Sequence, residues 1–386
     1  MLCYPTQELW LAPHRPLFLL AGLWAVLVPS AWLAPSGLVA DPVSWHRHEL
    51  LFGMGGAAVG GYLLTALPAW TGRPRVAPAT TAIMVALWFA GRLAFALEMP
   101  PPWGSIAGAA YFVVLGGLLS QQVARAKAWR KMPLALAPFV LGCLATGATG
   151  GFGAVAQGGA PQLAPLFFAL LISLVGGRAV AAFTRHRLAA SPDDPPFADP
   201  RWLAAAALLA LLAAMAAFGT PGLAGALLVV SGLLQLARIL AWRSWRSARY
   251  PALLLLHLAW LWLPLGLILA GMSQVLPLGL DAATALHALT MGAMGTMMLA
   301  IMARAAMVRQ GTRLCVSRRL GGAFCLVNLS VLTRLLMCCA GASGYTVLLP
   351  LATLCWMAGW ALFLWDFRRA LRGPIPRPVL SARSRP

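Results

Sequence analysis

Four histidines lie at or inside apolar stretches of this sequence: His46, His48, His257 and His287. Neutral imidazole is the commonest metal ligand and a frequent haem axial ligand, so these four are the candidate metal ligands. His46, His48 and Glu49 open one stretch. On a regular helix His46 and Glu49 share a face and His48 points elsewhere, which excludes the HExxH arrangement of zinc proteases. His287 sits about one turn into a later stretch that runs in the same direction, at a depth similar to His48. His257 enters a third stretch from the opposite end, ~10 Å deep. His14 and His186 lie beside arginines at stretch ends and read as solvated polar residues.

Arginine is costly inside a membrane and usually faces a polar interior. Arg92, Arg178, Arg238 and Arg334 fall within apolar stretches. Arg178 and Arg238 are close enough to an end to snorkel. Arg92 and Arg334 are candidates for holding haem propionates or another anionic ligand, since the stretches offer almost no carboxylates. Met291, Met294 and Met298 share a helical face with His287. Thioethers suit Cu(I), although core packing is the stronger reading. The seven cysteines include no CxxC and no CxxCH. They read as buried free thiols, and any haem is held non-covalently, as a b-type group.

His48-Glu49-Leu50 is followed by Gly53 and Gly56, and His287-Ala288-Leu289 by Gly292 and Gly295. Both read H-x-L-x-x-G-x-x-G, and the next stretch in each case carries an arginine, Arg92 or Arg334. Small residues below a histidine let a flat macrocycle or another helix approach the backbone.

The elements that must position these residues are membrane helices. Of 386 residues, 61% are hydrophobic and 10% charged, with mean hydropathy +0.80. Soluble chains are roughly 45–50% apolar and about 25% charged. A soluble enzyme, a disordered regulator and a disulfide scaffold are excluded. Twelve stretches suffice to cross a bilayer: 17–34, 48–69, 79–97, 104–123, 134–155, 162–184, 201–219, 221–241, 251–271, 283–306, 320–340 and 345–366. The first reads as a retained span rather than a cleaved leader.

The net charge of +20 comes from 29 Lys and Arg against 9 Asp and Glu. It is topogenic and does not mark a nucleic-acid binder. Linkers 35–45, 98–103, 156–161, 219–222, 272–282 and 341–344 hold no Lys or Arg, whereas the alternate linkers are rich in them. The positive-inside rule then places both termini in the cytoplasm. The expectation is an all-α polytopic protein of about twelve transmembrane helices, forming one transmembrane domain over 1–386. Its halves, 1–190 and 200–386, are joined by a Pro- and Asp-rich cytoplasmic loop.

Several segments together resemble the NnrS family: Trp45-His46-Arg47-His48-Glu49-Leu50-Leu51-Phe52-Gly53, Leu63 to Gly72, Gly177-Arg178 to Arg185, and Leu286-His287 through Ala300 to Arg304. His14-Arg15-Pro16-Leu17-Phe18 and Leu362-Phe363-Leu364-Trp365 add weaker matches, so the likeness covers nearly the whole chain. It implies a multi-pass protein of the bacterial cytoplasmic (inner) membrane that binds haem and copper and is associated with nitric oxide response and nitrosative-stress tolerance. By position, His46, His48, His257 and His287 match family histidines. The chain departs from the pattern at Arg309, where the family has a histidine, at His186 in place of Asn, and at Leu50 in place of Met.

The leading expectation is therefore a haem- and copper-binding membrane protein that binds or converts nitric oxide. His48, His287 and His257 are the haem ligand candidates, Arg92 and Arg334 the propionate partners, and His46 with Glu49 a nearby copper or supporting site. The alternative is a twelve-helix secondary transporter of a small solute, weakened by the apparent lack of buried Asp or Glu. A haem–copper oxidase needs more intramembrane histidines than these four.

Overall fold

A computed structural model describes residues 5–35, 41–100, 102–148, 154–188, 197–276, 281–310, 313–373 and 375. Among them, eleven helices are long and apolar enough to cross a bilayer. In chain order they are span 1 (His14–Trp32), span 2 (Pro42–Thr71), span 3 (Pro78–Ala96), span 4 (Trp103–Arg125), span 5 (Trp129–Ala148) and span 6 (Gln162–Leu188). After a shorter apolar helix, span 7 (Arg201–Ala216), come span 8 (Pro221–Ala241), span 9 (Pro251–Val275), span 10 (Ala282–Ala306), span 11 (Arg318–Cys339) and span 12 (Gly344–Leu371). The protein is an all-α, multi-pass membrane protein.

Span 7 has 16 residues, about 24 Å of helix against a hydrocarbon core of about 30 Å. It stops early because Thr220 N–H turns back to the Ala217 carbonyl and Pro221 opens the next helix. Prolines likewise open spans 2, 3, 8 and 9, where the missing N–H costs nothing. Two three-residue strands, Val308–Gln310 and Arg313–Cys315, pair antiparallel between spans 10 and 11.

The chain divides into two compact units, Met1–Ala164 with Leu364–Pro386, and Pro165–Phe363. The boundary falls within span 6. Most of the linker expected at 191–200 lies outside the described residues.

In the first unit, spans 1, 2 and 4 meet through the glycines of span 2. A Cβ at Gly61 would lie 2.8 Å from the Phe18 ring, and one at Gly56 2.9 Å from Phe112. Tyr111 fits over Gly60, its hydroxyl donating to the Gly56 carbonyl at 3.1 Å. At the chain's two ends, Arg15 donates to the Glu8 and Gly373 carbonyls, each at 2.6 Å. His14 is buried beneath these segments, 2% exposed against Phe18, and is not solvated as its position beside arginines suggested. In the second unit, Gly225 and Gly271 let spans 8 and 9 approach backbone to backbone.

Three spans contain π-helical segments: Glu49–Met54 in span 2, Ile172–Gly176 in span 6 and Ala288–Gly295 in span 10. They are also the most enclosed spans, with 72%, 72% and 67% of their apolar stretches buried. A π turn inserts a residue into the α-helical register, so the 3.6-residue period fails there.

Candidate functional site

The π segment of span 2 places its polar residues together. His48 and Glu49 are 5% and 2% exposed. His48 Nδ1 lies 3.2 Å from Glu49 Oε1, and Arg92 Nε of span 3 approaches the same oxygen at 3.4 Å. Trp24 Nε1 of span 1 donates to Glu49 Oε2 at 2.5 Å. Glu49 thus has partners on both oxygens. Two expectations change here. A regular helix put His48 away from the His46–Glu49 face, but it is His48 that meets Glu49. The spans also do hold buried carboxylates: Glu49, and Asp366 at 2% exposure.

With Nδ1–H donating to the carboxylate, the His48 lone pair sits on Nε2. That nitrogen makes no hydrogen bond to any described residue. Phe95 stacks on the ring at 3.8 Å between centroids and Phe52 stands 5.2 Å away, so the imidazole is held in place. His48 lines a cavity of about 70 Å³ whose other polar residues are Ser44 and Arg47. Leu51, Phe52, Phe95, Ala148 and Ala164 form its apolar side. Arg92 is 6% exposed, and its Nη1 is buried with no hydrogen-bond partner among the described residues.

The other sequence-selected residues are placed differently. His46 Nδ1 donates to the Val43 carbonyl at 3.1 Å, with Trp32 edge-on to the ring. His287 Nδ1 donates to the Ala283 carbonyl at 2.6 Å. His48 belongs to the first unit and His287 to the second. Both ring nitrogens of His257 are engaged: Nε2 is 2.9 Å from Thr184 Oγ1, and Nδ1 is 2.8 Å from Ser244 Oγ. Thr184 gives its hydrogen to the Val180 carbonyl, so it accepts from Nε2–H, while the Ser244 hydroxyl lies between His257 Nδ1 and the Ile239 carbonyl, 3.1 Å away. Both ring nitrogens of His257 therefore face hydroxyl oxygens at hydrogen-bond distance. Arg334 Nη1 donates to Thr284 Oγ1 at 3.2 Å, whereas Arg178 is exposed. Met294, Met297 and Met302 are buried in the core, and the π turn removes the single face assumed for Met291, Met294 and Met298.

Sequence reasoning missed a second polar cluster. Arg238 does not snorkel; it is 3% exposed. Its guanidinium packs against the Trp242 and Trp260 rings at 4.7 and 5.2 Å. It reaches Asp199 at 3.4 Å and Gln235 at 3.1 Å, and Gln235 donates to Ser173 in the π segment of span 6. The one available signal was Trp242, four residues after Arg238 and so on the same helical face.

A model of the NnrS protein family matches residues 8–374. The chain belongs to the NnrS family. No curated protein matches it.

The NnrS resemblance implies haem and copper, and the geometry tests both. Below His48, a Cβ at Gly53 would lie 2.7 Å from Trp24 and one at Gly56 2.9 Å from Phe112. Below His287, Gly292 faces Trp262 at 2.9 Å and Gly295 faces Trp356 at 2.5 Å. Aromatic rings already fill the glycine notches that a macrocycle needs. The His48 cavity, about 70 Å³, is also less than half of the roughly 150 Å³ that takes benzene. As the side chains stand, neither motif fits a haem. Among the described residues no group of three or more His, Cys, Asp and Glu side chains converges on a metal site. Arg47 adds positive charge to the wall beside His48, which disfavours a cation there. His48 has the carboxylate-backed imidazole typical of a metal ligand. The NnrS chain thus offers at His48 one basic nitrogen, one guanidinium and one hydroxyl facing an apolar wall.

Proposed function

We propose that the protein acts in the bacterial cytoplasmic membrane in the response to nitric oxide and nitrosative stress. In this reading both termini and the arginine-rich linkers face the cytoplasm, and the His48 cavity holds a small nitrogen-oxide ligand. One observation carries the assignment: a buried histidine backed by a carboxylate, with its second nitrogen uncommitted, on a cavity of diatomic to triatomic size. Nitric oxide is neutral and enters lipid readily, and the apolar wall suits it. Its oxidised anion, nitrite, suits Arg47, Ser44 and His48.

The chain's own residues divide the work. Glu49 holds the Nδ1 proton and makes Nε2 the more basic nitrogen. Arg92 faces the Glu49 carboxylate from span 3 and offsets its charge. Trp24 fixes the second carboxylate oxygen, and Phe95 fixes the ring plane. Haem and copper remain expectations of the family; with the notches filled, no step here runs through them.

The test is tolerance to a nitric oxide donor in a sensitive host carrying the protein or its His48→Ala variant at equal membrane levels. Lost protection with His48→Ala is expected; full protection would remove His48 from the function. Haem and copper are counted on the same membranes. Buried Asp366, whose Oδ1 lacks a hydrogen bond among the described residues, favours the second reading, a proton-coupled carrier. Tolerance lost with Asp366→Asn and kept with His48→Ala would select it.

A further inference from the structure

Cys338 and Cys339 end span 11 on one tight turn, Met337–Cys339. They were expected as buried thiols, yet both are exposed, as are Cys143 and Cys325; of the described cysteines only Cys355 is buried. The Cys338 and Cys339 sulfurs lie 3.4 Å apart. Cys338 Sγ donates to the Leu335 carbonyl at 3.0 Å, so the hydrogen between the sulfurs is that of Cys339. One turn earlier, Arg334 donates to Thr284, which donates to Asp281. That chain fastens the end of span 11 to the start of span 10 and sets the Asp281 carboxylate near Cys338.

We infer that Cys338 and Cys339 form a dithiol redox site for small S-nitrosothiols. The choice of reagent rests on the nitric oxide reading; the pairing of the thiols does not. In the first step one cysteine thiolate attacks the nitroso nitrogen. A Cys S–N bond forms, the reagent's S–N bond breaks, and its thiolate leaves with the cysteine's proton. In the second step the neighbouring sulfur attacks the nitrosated one. An S–S bond forms, the S–N bond breaks, and NO⁻ leaves with the neighbour's proton as HNO. Two thiols and one nitrosothiol give one disulfide, one thiol and HNO. The two electrons lost by sulfur are gained by the nitroso nitrogen.

The contact between the sulfurs makes the second step effectively unimolecular. Neighbouring Cα atoms are about 3.8 Å apart, below the roughly 4.4 Å lower edge of ordinary disulfides. The product is therefore strained and easily reduced, which suits a reusable site rather than a structural bond.

The test uses the full chain in lipid nanodiscs with S-nitrosoglutathione, followed by alkylation and peptide mass spectrometry. The Cys338–Cys339 peptide should lose two hydrogens and resist alkylation roughly tenfold faster than Cys143 or Cys325 is modified. Nitrous oxide, the dimerisation product of HNO, should appear in step. Cys339→Ser should stop at an S-nitroso adduct on Cys338 without nitrous oxide. A disulfide formed with diamide but not with S-nitrosoglutathione overturns the nitrosothiol assignment. Two free thiols after both reagents overturn the dithiol site itself. Nitric oxide uptake by the Cys338→Ser, Cys339→Ser protein is measured in parallel, so failure at the thiols and failure of the His48 reading are distinguished.

Discussion

Arg92 Nε of span 3 lies 3.4 Å from Glu49 Oε1 of span 2, and both side chains are buried among apolar helices. Removing one partner strands the other charge. Arg92→Met or Glu49→Gln alone should cost about 3–5 kcal/mol. The double variant should recover most of that loss, because neither charge remains. Thermal unfolding of the detergent-solubilised proteins measures this, and additive losses in the double variant would mean that the two groups do not act as a pair.

Gly53 is a notch for Trp24. A methyl group there would stand 2.7 Å from Trp24 Cδ1 and 2.9 Å from Glu49 Oε2. Gly53→Ala should cost about 1–3 kcal/mol through overpacking and should also weaken nitric oxide uptake, since Trp24 and Glu49 both shift. Unchanged stability and unchanged uptake would show that the notch tolerates a side chain and that the fit argument against a macrocycle is too strict.

His257 is a structural histidine in this account. Its nitrogens hold Thr184 and Ser244, which lie 73 and 13 residues away in sequence. His257→Ala should lower the unfolding temperature, because buried hydroxyls lose their partner, while nitric oxide uptake per folded chain stays at the unsubstituted level. Uptake lost in a fully folded His257→Ala protein would assign it a ligand role.

Asp281 caps span 10, accepting from Thr284 N–H at 2.6 Å and Thr284 Oγ1 at 2.7 Å. Partial burial alone would raise its pKa, but the Thr284 hydrogen bonds and nearby Arg334 outweigh this and hold it below the ordinary 3.8. The sign follows from linkage. The folded value is depressed, so the contribution is complete above 3.8 and fades as pH falls through the lowered value. Asp281→Ala should cost about 1 kcal/mol near neutral pH and less in acid. A cost that does not change with pH would contradict this.

Much of the fold was legible because long apolar stretches and alternating arginine-rich linkers leave few alternatives. Span 2 begins at Pro42 rather than at 48 because the Asp41 cap and Pro42 precede the apolar run. The candidate site was legible only in its residue types. His48, Glu49 and Arg92 each stood out, but their meeting depends on a π turn that regular periodicity does not reveal. The glycines below His48 and His287 promised close approach, and the sequence did not say that Trp24 and Trp262 fill the gap. Exposure of the adjacent Cys338 and Cys339 was hidden for a similar reason: an apolar surrounding sequence does not distinguish the bundle interior from its outer surface.

The most direct measurement is nitric oxide uptake, followed with an electrode, by proteoliposomes carrying the protein or its His48→Ala variant at matched, folded amounts. The account predicts saturable uptake by the unsubstituted protein and its loss with His48→Ala. Equal uptake by both would contradict the claim that the uncommitted Nε2 of His48, facing its cavity, is where the ligand binds.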